Sequence, residues 1–472
     1  TPVSQLQRPG EGKAQTLYFD STVPGASLAE GLQQALDEML AKLPIPKVMT
    51  YQLADGWQGV RFVRPAHGLI ALHGGEVLPV SLLGLAAGRT TQGHRFEARQ
   101  PRLDSRDADS YAQQLQEEGA VIAGFDARRD EIARQIAAAA TREGATPVDD
   151  AALLDEVTAL VERPNVLACG FEPEFLAVPQ ACLILTMKAN QKYFPLLDAA
   201  GKLTHRFLVV SNIRPADASA VIQGNERVVR PRLADAKFFF DQDKKRTLAS
   251  RVPGLDKVVY HGKLGSQGER SQRVAAIARA IVNALRMATV PYTVEAKEGF
   301  DVLDAKVREA AQLAKADLLT DMVGEFPELQ GQMGGIYARH EGLRDGVAIA
   351  IEDHYKPRFA GDELPRNHTG TVLALADKLE TLVGLFGIGQ LPSGDKDPFA
   401  LRRHALGVVR MLVERALPLE LQSLLDDAAR PFGALLPDAA ASNAQLLAFI
   451  HERVGGYLRE QGHGAAEVEA VL

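Results

Sequence analysis

Cysteine and long apolar runs are the scarce things in this 472-residue chain, and each scarcity removes a class of protein. There are two cysteines, Cys169 and Cys182, and neither belongs to a CxxC pair or stands at zinc-ligand spacing to a histidine. Both lie in apolar, strand-like runs, Val166-Leu167-Ala168-Cys169 and Ala181-Cys182-Leu183-Ile184-Leu185. Buried, reduced thiols in a reducing cytoplasm are expected, rather than a redox or metal role. No uncharged apolar stretch reaches the ~18 residues that a spanning helix needs. The first residues, Thr1-Pro2-Val3-Ser4-Gln5, lack the basic region and apolar run of a signal peptide. With no initiating Met, the natural protein is expected to start upstream. Low-complexity tracts and repeats of fixed period are also missing.

What is present is ordinary for a folded protein: 46% hydrophobic and 24% charged residues. At roughly 100–200 residues per domain the length predicts two to four domains. The net charge is −7. A protein that coats nucleic acid is usually basic, so any RNA binding here must use local basic surfaces on an acidic molecule.

The spacing of Leu28, Leu32, Leu36, Met39, Leu40 and Leu43 predicts an amphipathic helix that stops at Pro44-Ile45-Pro46. Strands are expected at Gly59–Val63, Leu69–Leu72 and Val77–Val80, with Gly74-Gly75 turning between the last two. From about Asp109 to Glu162 the pattern is helical, with Ile132, Ile136 and Ala140 on one face. Leu183–Met187 and Phe207–Val210 read as buried strands, and Asn225–Arg246 as a helix. From about Leu255 onward helices dominate, with Leu303, Val307, Ala310, Ala314, Leu318 and Met322 forming one stripe.

Two segments carry candidate binding chemistry. In Thr186–Pro195 an apolar run enters Lys188, Asn190, Gln191, Lys192 and Tyr193, where lysine and an aromatic together can hold a phosphate and a base. The plainer reading is a solvated strand exit. In Gln223–Phe240, Arg227, Arg230 and Arg232 can present guanidinium forks to phosphates. The plainer reading there is a solvated face, or ion pairs to Glu226 and Asp235. The triplet Phe238-Phe239-Phe240 is expected to anchor that segment in the core. His261–Ser266 has a Gly-Lys pair without the spacing of a phosphate-binding loop, and there is no Ser-centred nucleophile elbow.

A longer set of strings points to one family. It includes Leu43-Pro44-Ile45-Pro46-Lys47, Phe62-Val63-Arg64-Pro65, Gly93-His94-Arg95-Phe96, Gln191-Lys192-Tyr193-Phe194-Pro195 and Arg230-Pro231-Arg232-Leu233-Ala234-Asp235. It continues through Lys315–Val323, Tyr337–Gly342, Tyr355–Pro365 and Ala374–Leu379, and closes with Gly394-Asp395-Lys396-Asp397-Pro398-Phe399-Ala400-Leu401-Arg402-Arg403, the most specific of all. In order, over roughly Leu28 to Val413, the chain resembles the β subunit of bacterial two-subunit glycyl-tRNA synthetase. The family's amino-terminal segment and its carboxy-terminal anticodon-binding domain are expected to lie outside this sequence.

The resemblance implies an aminoacyl-tRNA synthetase working as a two-α, two-β assembly, in which this chain holds tRNA(Gly) and the α subunit but is inert alone. No cofactor is then expected on this chain, since ATP and Mg belong to the α active site. The RNA contacts it suggests are Lys188, Lys192, Arg227, Arg230 and Arg232, with Lys396, Arg402 and Arg403 as a second group. Neither DNA nor membrane is an expected partner. Editing by the middle domain rests only on analogy with the phenylalanyl-tRNA synthetase β subunit.

The helical part also resembles the HD phosphohydrolase fold, whose metal site needs imidazole and carboxylate together to activate water. The candidates are His340, Asp353, His354 and Asp377, but Asp353-His354 reverses the His-Asp order. Adjacent helical residues point about 100° apart, so reversal moves one ligand away. A degenerate site without metal is expected, with His340 and Asp377 as buried hydrogen-bonding residues. The competing functions are an active metal-dependent phosphohydrolase and a scaffold without RNA contact. The expected fold class is α+β and multidomain. Residues 1–165 form an α/β body with a helical insert, 166–254 a mixed domain with the basic helix, 255–420 an all-α HD-like domain, and 421–472 a helical tail.

Overall fold

The computed structural model describes Leu6, Phe19 and residues 25–53, 55–289, 294–394 and 396–471, with backbone alone at 294–298 and 471. Thr1–Gln5 and Asp395 of the strings above lie outside the described residues. The chain is mixed, helix-rich and divided into two compact units. The first takes the chain up to Cys169, with Lys192–Ala200 and Arg206–Gly224; the second takes Gly170–Gln191, Gly201–His205 and the chain from Asn225 on. The two units interleave between Gly170 and Gly224.

In the first unit, α1 spans Leu28–Lys42. Ser27 and Glu30 start it as a capping box, each side chain satisfying the other's backbone N–H. Leu43 ends it in extended geometry ahead of Pro44, as the rule for residues before proline requires. No residue of α1 is fully buried, and Leu28 and Met39 stay exposed along its apolar stripe. Four short hairpins follow. They pair β1 (Met49–Gln52) with β2 (Gly59–Phe62), β3 (Leu72–His73) with β4 (Glu76–Val77), β5 (Ser81–Leu82) with β6 (Leu85–Ala86), and β7 (Thr90–Gln92) with β8 (Arg102–Asp104). The β3–β4 pair turns at Gly74-Gly75, as expected.

Helices α2 (Tyr111–Glu117), α3 (Phe125–Arg142) and α4 (Ala151–Leu160) come next. A four-stranded sheet in the order β10-β12-β11-β9 is built from β9 (Thr146–Pro147), β10 (Asn165–Gly170), β11 (Phe194–Leu197) and β12 (Leu203–Ser211). Ile132, Ile136 and Ala140 of α3 and Leu153 and Val157 of α4 pack with Phe194, Leu196 and Leu208 into one core. Each large aliphatic buried this way contributes about 1.5–3 kcal/mol.

Gly93-His94-Arg95-Phe96, one of the family strings, is a structural knot. His94 Nδ1 accepts from the backbone N–H of Phe96 and Glu97 at 3.3 and 3.2 Å. That assigns the ring proton to Nε2, which donates to the Asn212 carbonyl at 2.6 Å. Phe96 itself is exposed.

The second unit corrects one expectation at once. Leu183–Met187 is not a strand but part of helix α5, Gln180–Gln191. Cys182, Leu183, Thr186 and Met187 are its buried residues, a helical i, i+1, i+4, i+5 repeat, and Thr186 Oγ donates to the Cys182 carbonyl. Helix α6 runs Ser219–Asp243, with Pro231 inside it, and α7 is a short turn at Leu248–Arg251. A two-stranded pair, β13 (Val259–His261) and β14 (Gly265–Ser266), leads into α8 (Gln267–Thr289) and α9 (Val294–Leu313).

The predicted stripe from Leu303 to Met322 does not stay on one helix. α9 ends at Leu313, and a 3-10 turn at Ala316–Leu319 re-aims the chain into α10, Asp321–Glu325. Helices α11 (Gln332–His340), α12 (Asp345–Asp353), α13 (His368–Gly387), α14 (Leu401–Glu414), α15 (Leu421–Ala429), α16 (Ala439–Glu460) and α17 (Ala465–Val471) complete the unit. α13 is its axis: every residue from Thr369 to Phe386 is buried, against α8, α9, α12, α14, α15 and α16. A helix surrounded on all sides should be apolar all round, yet Asp377, Lys378 and Glu380 lie in it.

Both cysteines are buried thiols, Cys169 in β10 and Cys182 in α5, where its Sγ lies 3.4 Å from Met333 Sδ. Burial pushes the Cys182 thiol up to about 12. Among the described residues no helix is long and apolar enough to cross a membrane.

Candidate functional site

The residues proposed for phosphate contact occupy different settings. Lys188 lies in the last turn of α5. Lys192 follows α5 with a positive φ of 58° and pairs with Glu156 at 2.9 Å. On α6, Arg227 and Arg232 are exposed, whereas Arg230 pairs with Glu172 at 2.6 Å rather than with Glu226 or Asp235. At about 100° per residue, Arg227 and Arg230 point some 60° apart and Arg232 faces another side. The sequence cluster therefore fans around the helix. Of the aromatic triplet, Phe240 alone anchors in the core, stacked on Tyr337 at 5.8 Å between ring centres; Phe238 is exposed.

The second basic group gathers at the start of α14. Asp397 caps the helix, accepting from the N–H of Leu401 at 2.8 Å and of Arg402 at 2.9 Å. The Arg402 side chain folds back to the Gly394 carbonyl at 2.6 Å, closing the turn. Lys396 and Arg403 are exposed. The most specific family string thus builds a capped helix start that projects two cations.

The four HD candidates do not share a centre. His340 ends α11 exposed, contrary to the expected burial. Asp353 is gripped by Arg366 through two bonds of 2.8 and 2.9 Å, with Lys356 at 3.3 Å. His354 is buried, its Nδ1 2.6 Å from the Ile351 carbonyl. Asp377 is buried and pairs with Lys315 at 3.0 Å and Arg270 at 3.1 Å. Among the described residues, no three His, Cys, Asp or Glu side chains converge in a way that could hold a metal ion.

Around Asp377 lies a charge cluster that the motifs did not reveal. Glu380 accepts from Arg270 at 3.0 Å and Arg273 at 2.8 Å. Asp317 accepts from the backbone N–H of Gly331 and Gly334 at 2.6 and 3.0 Å. Burial acts against every charge here, and partners decide which survive. It pushes Lys315 and Lys378 down to about 8 and Asp317 up to about 6. It would raise Asp377 too, but Arg270 and Lys315 hold that carboxyl well below the usual range. Burial, then Lys315, drives the His354 ring down to about 3, so it is neutral near pH 7. The signal that could have found this cluster is the trio Asp377, Lys378 and Glu380 within an otherwise apolar run.

A polar cleft of about 630 Å³ adjoins the cluster, with Lys378, Tyr355, Arg403 and His404 in its lining. Lys378 and Arg403 can position an anion there.

The sequence as a whole matches a family model described as glycyl-tRNA synthetase beta subunit, over residues 1–472. Curated relatives named glycine–tRNA ligase beta subunit include that of Leptothrix cholodnii, 74% identical over 470 residues, covering 100% of this chain and 66% of the relative. The protein from Acidovorax sp. strain JS42 is 67% identical over 478 residues, with 100% and 66% coverage. That of Dechloromonas aromatica is 65% identical over 476 residues, with 100% and 65% coverage. The chain spans about two thirds of the length of these relatives.

Proposed function

The chain belongs to the family of glycyl-tRNA synthetase beta subunits, and on that premise we propose that it enables ATP-dependent glycylation of tRNA by holding tRNA(Gly) and a catalytic α subunit. The observation that carries the proposal is the match across residues 1–472. ATP and Mg act on the α subunit in this reading, within a cytoplasmic two-α, two-β assembly. The helical part around α13 is HD-like in origin and serves as a packing framework. The engagement of Asp353 and Asp377 by Arg366, Lys315 and Arg270 supports that over a phosphohydrolase.

The phosphate contacts are Arg227 and Arg232 on α6, and Lys396 and Arg403 at the start of α14, whose exposure favours them. Lys188, Lys192, Arg230 and Arg402 support the same surfaces. The acidic net charge of −7 favours a selective, salt-sensitive RNA ligand over general coating.

The test is glycine charging of tRNA(Gly) by purified α subunit, with and without this chain. A rise in charging from a chain inert alone is the expected result. Equal charging in both reactions, persisting with a relative of full length, would overturn the proposal. Absence of any salt-sensitive tRNA binding would replace RNA holding with pure scaffolding.

A further inference from the structure

The cleft beside α13 has features that a packing framework does not need. Its base is Lys378, 2% exposed, whose Nζ donates to the Tyr355 carbonyl at 3.1 Å. An ammonium has three donors, and this bond occupies one. Helix α14 crosses the lysine stem at Gly407, where an added Cβ would lie 2.8 Å from Lys378 Cε. Glycine there lets the ammonium sit where it does. One turn earlier on α14, His404 lines the same cleft, and its Nδ1 is buried with no hydrogen-bond partner. A buried polar atom left unpaired costs about 1–3 kcal/mol, which a ligand contact would remove. Arg403 stands exposed at the mouth.

The surrounding charge has the same sign. Arg270, Arg273, Lys315 and Lys378 are buried against the carboxylates of Asp317, Asp377 and Glu380. Four cations against three anions leaves one positive charge uncompensated. At the mouth, Lys356 pairs with Asp353 and Glu363, Arg358 with Asp362, Arg339 with Asp345 and Glu352, and Arg366 with Asp353 and Glu352. Among the described residues of the lining, Lys378 and Arg403 are the cations with no paired carboxylate. Glu328, exposed on the lining, repels an anion but can accept hydroxyl groups, as acidic residues do with a ribose. The volume of about 630 Å³ suits a small molecule rather than a bare ion.

We propose that this cleft binds a free phosphate monoester of nucleotide size, with Lys378, His404 and Arg403 on the phosphate and Glu328 on the sugar hydroxyls. Arg403 is shared with the RNA contacts proposed above, Lys378 and His404 are not, and the test contains no RNA.

The experiment is calorimetric titration of the intact chain with adenosine 5′-monophosphate, with adenosine as the uncharged probe. The monophosphate is expected to bind at least about tenfold more tightly than adenosine, as a charge-assisted phosphate site requires. Arg403→Gln should weaken it roughly tenfold, and Lys378→Met more. Because Lys378 is buried, circular dichroism must show that its variant is folded; Arg403 is exposed, and its variant carries the test if Lys378→Met unfolds. Equal affinity for adenosine and its monophosphate, or wild-type affinity in Arg403→Gln, would overturn the site.

Discussion

Replacing Glu380 by glutamine removes one charge and almost no volume from the middle of α13. In the native chain this carboxylate is fully buried and holds Arg270 at 3.0 Å and Arg273 at 2.8 Å. Arg270 keeps Asp377 and the Thr381 hydroxyl after the change. Arg273 keeps the Leu264 carbonyl and the face of Phe432, 4.7 Å away, but loses the buried carboxylate it is paired with, and the glutamine oxygen can accept only one of the two guanidinium bonds. Breaking a buried pair on one side costs about 3–5 kcal/mol, because the remaining charge stays desolvated. With a urea m-value of about 3 kcal/mol/M, that shifts the midpoint by roughly 1–1.7 M. The assay is urea unfolding followed by circular dichroism at the helical band. Tryptophan fluorescence would miss it, since Trp57, the single tryptophan, is 93% exposed in the first unit. The control is Glu38→Gln on α1, which removes the same charge from an exposed pair with Lys42. It should cost no more than about 0.5 kcal/mol. If the Glu380 variant shifts as little as the Glu38 variant, the account of a charge held by its partners is wrong.

His354 should make stability acid-sensitive. Its folded value of about 3 lies below the ordinary 6.5, so between these values the native state binds fewer protons than the unfolded state, and stability falls as pH falls. At pH 5 the loss is about 2 kcal/mol relative to pH 7, and urea curves of a His354→Asn variant should lack that part; parallel pH profiles would refute it. Gly93→Ala should destabilise the first unit by more than about 1 kcal/mol, since its Cβ would sit 2.9 Å from the backbone of Gly119 and 2.7 Å from Ala98 Cβ. An unchanged melting temperature would show that the loop yields. Ile132→Ala, at a fully buried position of α3, should cost about 2–5 kcal/mol in the same assay, and a cost below about 1 would place this residue outside the core.

Where local chemistry decides the outcome, the amino-acid sequence is legible by itself. α1 is bounded by the Ser27–Glu30 cap and Pro44, and the β3–β4 turn is written in two glycines. Leu183–Met187 is ambiguous because five mostly apolar residues suit either a buried strand or a buried helix. The burial of Cys182, Leu183, Thr186 and Met187 shows the helical period that decides it. The stripe from Leu303 keeps its spacing after α9 has ended, since a 3-10 turn can preserve burial while changing direction. Exposure of His340 and Phe238 is not legible, because it depends on what the fold lays beside each residue. The charge cluster is the least visible: Arg270, Lys315 and Glu380 meet across more than a hundred positions of sequence, a proximity that periodicity cannot encode.

The two cysteines give each compact unit its own clock. Cys169 belongs to the first unit and Cys182 to the second, and both are fully shielded from solvent. A thiol-modifying reagent in native buffer can reach either sulfur only when the element around it opens. Peptide mass spectrometry reads the two positions separately in one sample. The ratio of their modification rates then measures how far the units open independently: equal rates mean shared excursions, and divergent rates mean one unit loosens while the other holds. A variant such as Glu380→Gln should hasten modification at Cys182 and leave Cys169 as slow as before if the units open separately.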